Sequence, residues 1–357
     1  MSSQQLSAFI KKEWLLVLSV AGLGITSILA RRLPVYSRSD FDILYILLVL
    51  FVVTTGLQRH GVLGRIARRM EQGRWIPVKL TLLTFFFAMV VTNDVALMAI
   101  VPLTILLHVP NRDWLVIIEA LAANAGSALS PFGNPQNLFI YWHYDIPFTD
   151  FVTTIAPFSL VFLGLLMLGA GAIKAGAQGT RTEASSPSSL GPAAWFYIAA
   201  LFIFALAILR VLPLMIGVAV LVFAILADRK SLRIDYALLL TFACFFGFTD
   251  NLQVMLNNVL AHPHHVFLMS ALLSQILSNV PTALLLADFT PHWSSLLWGV
   301  SVGGFGSLVG SLANLIAYRI YLRSAQADAR SFTLKFHTAS YAAFFVGIFL
   351  YCVLFIL

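Results

Sequence analysis

Uncharged apolar runs of bilayer-crossing length recur along the whole chain, and several are broken by asparagine and proline. A hydrocarbon core about 30 Å thick needs roughly 20 apolar residues per helix. Charge-poor runs lie at 14–30, 43–57, 120–144, 151–173, 193–209, 211–227, 236–249, 289–318 and 338–357. Three more do not fit one crossing each. Those at 80–93 and 95–109 are short and meet at Thr92-Asn93-Asp94, and the run at 251–287 is too long and contains Val280-Pro281.

Of the 357 residues, 60% are hydrophobic and 10% charged, against about 25% charged in a soluble domain. No soluble core absorbs that much apolar surface. A soluble enzyme, a disordered chain and a secreted disulfide scaffold are excluded. Strands of an outer-membrane barrel alternate and make no long apolar runs. Cys244 and Cys352 lie in apolar runs and imply neither a disulfide framework nor a metal cluster. The net charge of +7 sits in short loops and forms no nucleic-acid-binding domain. Lys11 and Lys12 precede a run of ordinary spanning length, without the signature of a cleaved signal peptide. The sequence predicts an all-α polytopic membrane protein.

Lys and Arg fix the expected orientation. With the N-terminus in the cytoplasm, a re-entrant hairpin at about 78–110 opening inward and a second at about 264–290 opening outward, all 22 basic residues but Arg31, Arg32, Arg38 and Arg210 fall inside. The C-terminus is then outside. A Gly/Ser/Thr/Pro-rich linker at 174–192 divides the chain. Residues 1–173 and 193–357 read alike: a hairpin, then a broken helix at about 114–144 or 292–318, the second half ending in a crossing at 338–357. NLFIY and NLIAY place Asn137 and Asn314 at matching points. Two halves that start on opposite sides form an inverted-topology repeat, and paired broken helices point to a binding site.

A broken helix frees backbone groups that must face protein or a water-filled cavity. Free carbonyls suit a hard cation such as Na+, and half-helix N-termini suit an anion. Asn93 and Asn279 read as N-caps of the second hairpin arms, and Pro281 fits the first helical turn. Asp94, an acid within an apolar hairpin, is a functional residue by default; cation coordination, proton carriage and simple capping are its three roles. Asp250 and Asp288 are expected near the outer rim in solvated or capping roles, with Glu119 in the same category near the inner face. His262, His264 and His265 cluster without a Cys or paired acid, a weak metal pattern. Trp14, Trp114, Trp142, Trp293 and Trp298 read as interface anchors. The basic amphipathic stretch 61–74 is expected on the inner leaflet.

TNDVALMAIVPLTI, NAGSALSPFGNPQNLFIY and LSNVPTALLL resemble the ion-transporter superfamily, which includes arsenite permeases, NhaD-type sodium/proton antiporters, citrate–metal carriers and sodium-coupled dicarboxylate carriers. The resemblance covers nearly the whole chain and is strongest to uncharacterised bacterial inner-membrane proteins of the arsenite-permease/citrate-carrier branch. It implies a mobile hairpin domain moving against a scaffold, in a homodimer of the bacterial inner membrane. In the dicarboxylate carriers a Ser-Asn-Thr tip on each hairpin contacts substrate and sodium. Here the tips read Thr92-Asn93-Asp94 and Ser278-Asn279-Val280, with Thr282 two residues further on. The first tip gains an acid that would repel a carboxylate unless a cation intervenes. Gly133-Asn134-Pro135-Gln136-Asn137 keeps the family's Gly-x-Pro-x-Asn form, and Ser311-Leu312-Ala313-Asn314 has lost the proline.

The resemblance and the breaks together predict a secondary active transporter for a small anion, coupled to Na+ or H+ by alternating access, with no resident cofactor. Thr92, Asn93, Asp94, Gly133, Asn134, Pro135 and Asn137 would form one site. Ser278, Asn279, Pro281, Thr282, Ser311 and Asn314 would form its partner. Na+ is expected at Asn93, Asp94 and Asn137, and at Asn279 and Asn314. The rivals are a Na+/H+ antiporter, an arsenite or metalloid efflux permease and, in a different class, an anion channel. No paired acid or histidine spacing supports a membrane enzyme.

Overall fold

The computed structural model describes residues 13–70, 75–106, 111–173, 190–255, 262–324 and 327–357, and every regular element among them is helical. The first half holds α1 (Trp14–Ala30), α2 (Arg38–Arg59), α3 (Val62–Met70), α4 (Ile76–Val91), α5 (Asn93–Leu106), α6 (Arg112–Ala128), α7 (Pro135–His143) and α8 (Phe148–Ala172). The second holds α9 (Pro192–Ile208), α10 (Gly217–Ala227), α11 (Tyr236–Met255), α12 (Pro263–Leu277), α13 (Asn279–Ala287), α14 (Trp293–Gly303), α15 (Leu312–Leu322) and α16 (Ala329–Phe355). α2, α8, α11 and α16 are long and apolar enough to cross a membrane. Leu168, Phe202 and Phe349 are among the large apolar side chains left exposed, as befits a multi-pass protein whose solvent is lipid.

Local chemistry sets several helix starts. Ser37 and Asp40 form a reciprocal capping box at α2. Asp328 caps α16 by accepting from the Ser331 N–H at 2.9 Å. α6 lies at the centre, buried at every position from Leu115 to Ala128, with α4, α5, α8, α14, α15 and α16 packed around it. Small residues permit this. A Cβ on Gly126 would stand 2.2 Å from the Phe85 carbonyl oxygen of α4, and one on Gly303 would stand 2.5 Å from Ser274 Cβ of α12. α4 runs along α6 and α12 along α14; α5 packs on α15, and α13 on α7.

Away from this centre, Asp228 gathers Arg59 at 2.5 Å, His60 at 3.0 Å, Tyr197 at 3.3 Å and the Ser231 hydroxyl. It ties the end of α2 and the middle of α9 to the loop after α10. Burial pushes the Asp228 carboxyl up, and the hydrogen bonds from Ser231, Arg59 and His60 outweigh it, holding the group down at about 2.

Several expectations need correcting. Glu119 is neither solvated nor capping but fully buried, its Oε1 accepting from the Thr104 hydroxyl of α5. Trp298 is no interface anchor: it is fully buried among rings, and its Nε1 donates to the Thr154 carbonyl at 2.8 Å. Asp288 takes the expected capping place, at the C-terminal end of α13 and 3.5 Å from His143 Nε2, whereas Asp250 lies within α11 and pairs with Arg32. α16 begins well before 338. Asn93 and Asn279 are first helical residues and not caps. Among the described residues no group of three His, Cys, Asp or Glu can hold a metal. The linker at 174–189 and Lys11 and Lys12 lie outside the described residues.

Candidate functional site

One residue joins the two helices of each hairpin. Thr92, between α4 and α5, has φ +105°, and Ser278, between α12 and α13, has φ +77°. A non-glycine residue held there costs about 1–3 kcal/mol and persists only where the surroundings impose it. Both tips use the strained carbonyl as the first helical acceptor: Ala96 N–H donates to Thr92 O at 3.0 Å and Thr282 N–H to Ser278 O at 3.2 Å. The Thr282 hydroxyl adds a bond to Ser278 O at 2.8 Å. The first tip is also pinned to the first break, by Asn93 N–H on the Gly133 carbonyl at 3.0 Å.

The two breaks are held by the same device. α6 stops at Ala128, leaving terminal carbonyls without helical donors. Asn137 Nδ2 supplies them, reaching the carbonyls of Ser127, Ala128 and Ser130 at 3.0–3.1 Å. Asn134 caps α7 by accepting from Asn137 N–H at 2.9 Å, and Pro135 takes the first helical position, where no N–H is needed. In the second break Asn314 Nδ2 donates to the carbonyls of Gly304 at 2.9 Å and Ser307 at 3.2 Å, and Ser311 caps α15. Each break is tied to its hairpin by a serine: Ser130 Oγ donates to Met89 O at 2.6 Å and Ser307 Oγ to Gln275 O at 2.9 Å.

The tips and the half-helix starts converge on one cavity. Asn93, Asp94, Pro135, Gln136, Ser278, Asn279, Val280, Pro281 and Ser311 line it, and Leu15, Leu238 and Thr241 on α1 and α11 close it. Among the described residues Asp94 is the one charged residue of this lining, and no described Lys, Arg or His belongs to it. Asp94 Oδ1, Gln136 Oε1 and Asn137 Oδ1 are buried without a hydrogen-bond partner. Buried polar atoms in folded proteins are nearly always paired. Three acceptor oxygens left open around the first break suit a cation or a donor-bearing solute.

Asn93, Asp94, Pro135, Ser278, Asn279, Pro281 and Ser311 therefore meet at the cavity. Thr92, Gly133, Asn134, Asn137, Thr282 and Asn314 stand behind it and hold the backbone. Asn314 Oδ1 is already occupied, accepting from Asn124 Nδ2 at 2.8 Å. Asn124 escaped the sequence reading. Its Oδ1 accepts from Asn93 Nδ2 at 3.4 Å, so it links the first tip to the second break across α6. An asparagine inside an Ala/Gly-rich buried helix was the available signal. Gln136 and Gln275 were also missed. Gln275 Nε2 donates to the carbonyls of Gly303 at 3.0 Å and Phe305 at 3.1 Å.

Residues 8–302 match the family model described as "Citrate transporter". The chain belongs to the citrate transporter family. It is 36% identical over 320 residues to the inner membrane protein YbiR of Escherichia coli, covering 84% of each chain. It is 30% identical over 325 residues to the uncharacterised transporter MJ0456 of Methanocaldococcus jannaschii, covering 86% of this chain and 88% of that one. A shorter match, 32% over 141 residues, covers 37% of this chain and 29% of the silicon efflux transporter LSI3 of rice. This family member is thus a membrane transporter and not an enzyme.

Proposed function

We propose that this transporter moves a small anion by alternating access, coupled to Na+ or H+, as a homodimer in a bacterial inner membrane. One observation carries the reading: two strained hairpin tips and two broken helices, one of each from either half, meet at a single cavity. The matched bonds at the breaks and the exchanged packing, α5 on α15 and α13 on α7, support reading 1–173 and 193–357 as inverted-topology repeats. Such repeats place substrate and coupling ion at their interface. In this reading a cation binds at the first tip and break, by Asn93, Asp94 and Asn137 with Thr92, Gly133, Asn134 and Pro135 supporting. The second tip and break, with Asn279 and Asn314, form the counterpart.

The lining limits the substrate. Among the described residues a bare polycarboxylate would meet Asp94 and no positive side chain. Its charge must be offset by a cation beside Asp94 or by a metal already bound to it. Metal-bound citrate meets that condition and agrees with the family's name. The same lining favours a second reading, an uncharged metalloid hydroxide, in keeping with the silicon efflux relative.

The test is thermal unfolding of the purified protein with citrate, citrate plus Mg2+, sulfate, phosphate, arsenite and silicic acid, each with and without Na+. A specific ligand stabilises by about 2.7 kcal/mol at a hundredfold excess over Kd. Stabilisation by citrate plus Mg2+, lost in Asn279→Ala, supports the anion reading. Stabilisation by arsenite or silicic acid alone moves the assignment to the metalloid. A shift with Na+ or pH alone, absent in Asp94→Asn and indifferent to every solute, would make it an antiporter. Single-channel currents would overturn the carrier reading altogether.

A further inference from the structure

Glu119 lies outside the cavity, and nothing above uses it. It stands on α6, roughly 7.5 Å of helix rise from Asn124 toward the Arg112 end. Its side chain is fully buried. Oε1 accepts from the Thr104 hydroxyl of α5, and Oε2 is enclosed without a partner. The charged groups on the helices around α6 are Lys79 on α4, Asp94 on α5, Asp150 on α8, Arg319 on α15, and Arg330, Lys335 and His337 on α16, with Arg112 and Asp113 on α6 itself. The tyrosines Tyr318, Tyr321, Tyr341 and Tyr351 and Cys352 complete the titratable set on these helices. Lys335 is committed to Asp113.

One neutral donor does not offset a carboxylate taken out of water; a buried charge needs a partner and further hydrogen bonds. A proton on Oε2 leaves only a neutral group enclosed. Such an acid ionises when water reaches it. The helix that supplies Thr104 is also the helix whose other end carries Asn93 and Asp94 at the cavity. A shift of α5 that serves the cavity therefore changes the surroundings of Glu119.

We propose that Glu119 is a proton-binding site that couples transport to H+, loading from water on one side of the membrane and unloading to the other as α5 moves against α6. In the loaded form the proton sits on Oε2 and Thr104 donates to Oε1. On opening, the proton passes to water as hydronium, and the carboxylate left behind is hydrogen-bonded by Thr104 and water. A proton from the opposite side restores the acid. This rests on the transporter reading above and adds a proton site to the cation site at Asp94.

The test uses full-length protein in liposomes. A hydrophobic carbodiimide reacts with buried carboxyl groups that hold a proton. Modification of Glu119 is read by mass spectrometry from about pH 5 to about pH 10, and should fall at least about tenfold across that range. Labelling that stays flat overturns the proposal, and this arm needs no variant. In a second arm, citrate plus Mg2+ is added to vesicles loaded with a pH-sensitive dye. Wild type should move protons with citrate. E119Q should lose the proton signal, and any citrate counterflow it keeps should become flat in pH. Glu119→Asp should recover part of the signal. Proton movement persisting in E119Q overturns the proposal. If wild type moves no citrate, the substrate reading fails, while the labelling arm still decides Glu119.

Discussion

Replacing Asn137 by alanine tests the account of the broken helix most directly. Asn137 is fully buried, and its amide serves the carbonyls of Ser127, Ala128 and Ser130. The Ser127 and Ser130 carbonyls keep longer backbone bonds, from Ser130 N–H at 3.4 Å and Gly133 N–H at 3.3 Å, so truncation orphans the Ala128 carbonyl and weakens the pairing of the other two. A buried polar group left unpaired costs about 1–3 kcal/mol. A water entering the vacated space recovers part of that and the weakened pairing of the other two carbonyls adds to it, so the expected loss is about 1–3 kcal/mol. Asn137→Asp should be worse. It fills the same volume, admits no water, and sets carboxylate oxygens against the same carbonyls. Asn134→Ala removes the cap bond from Asn137 N–H and the bond from its own Nδ2 to Ser127 Oγ at 3.1 Å, but orphans no terminal carbonyl, and should cost about 1–2 kcal/mol. Unfolding of the three variants in mixed micelles gives the order directly. A loss below about 1 kcal/mol for Asn137→Ala, or an aspartate milder than the alanine, would refute the claim that this amide holds the break.

Other outcomes follow from the same geometry. Gly126→Ala pushes a Cβ to 2.2 Å from backbone oxygen, so α4 and α6 must separate; a loss of about 1–3 kcal/mol or more is expected in thermal unfolding, against little for Gly164→Ala, which meets nothing. Asp228, held down at about 2, contributes stability that is fully present above about pH 4 and is lost as pH falls toward 2; the amount is about 1–2 kcal/mol after screening, and acid unfolding of Asp228→Asn should lack that step.

The helical class, the two hairpins and the two breaks were legible because lipid forces them to be. In a membrane only long apolar runs survive, so an Asn or Pro within one is conspicuous. The single-residue tips were not legible: nothing in Thr92 or Ser278 as residue types announces a positive φ, which is imposed by the packing of each arm. The division of labour among the site residues was hidden too. Asn93 and Asn137 look alike in sequence, yet one faces the cavity and the amide nitrogen of the other is spent on backbone carbonyls. Glu119 was misread because its place early in the run suggested a solvated end, whereas its burial depends on how the neighbouring helices, α5 with Thr104 among them, pack on α6. Asn124 was overlooked because its partners, Asn93 and Asn314, are remote in sequence.

The two halves share scaffolding but not chemistry, and that difference bears on stoichiometry. Ser130 and Ser307 make the same tie, Asn137 and Asn314 hold the same carbonyls, and both tips carry a positive φ. Among the described residues that line the cavity, the charge and the unpaired carbonyl-type acceptors, Asp94 Oδ1 and Gln136 Oε1, belong to the first half. Asp94 follows one tip asparagine where Val280 follows the other, and Gln136 precedes one amide asparagine where Ala313 precedes the other. A monovalent cation stripped of water is held far better by a carboxylate with carbonyl oxygens than by neutral donors alone, because only the carboxylate cancels its charge. Under the proposed repeat, one site should bind a cation tightly and its counterpart weakly. Stabilisation by Na+ should then follow a single-site curve, vanish in Asp94→Asn and survive Thr282→Val. A curve needing two equal sites, or equal losses in both variants, would break the link between this asymmetry and cation binding.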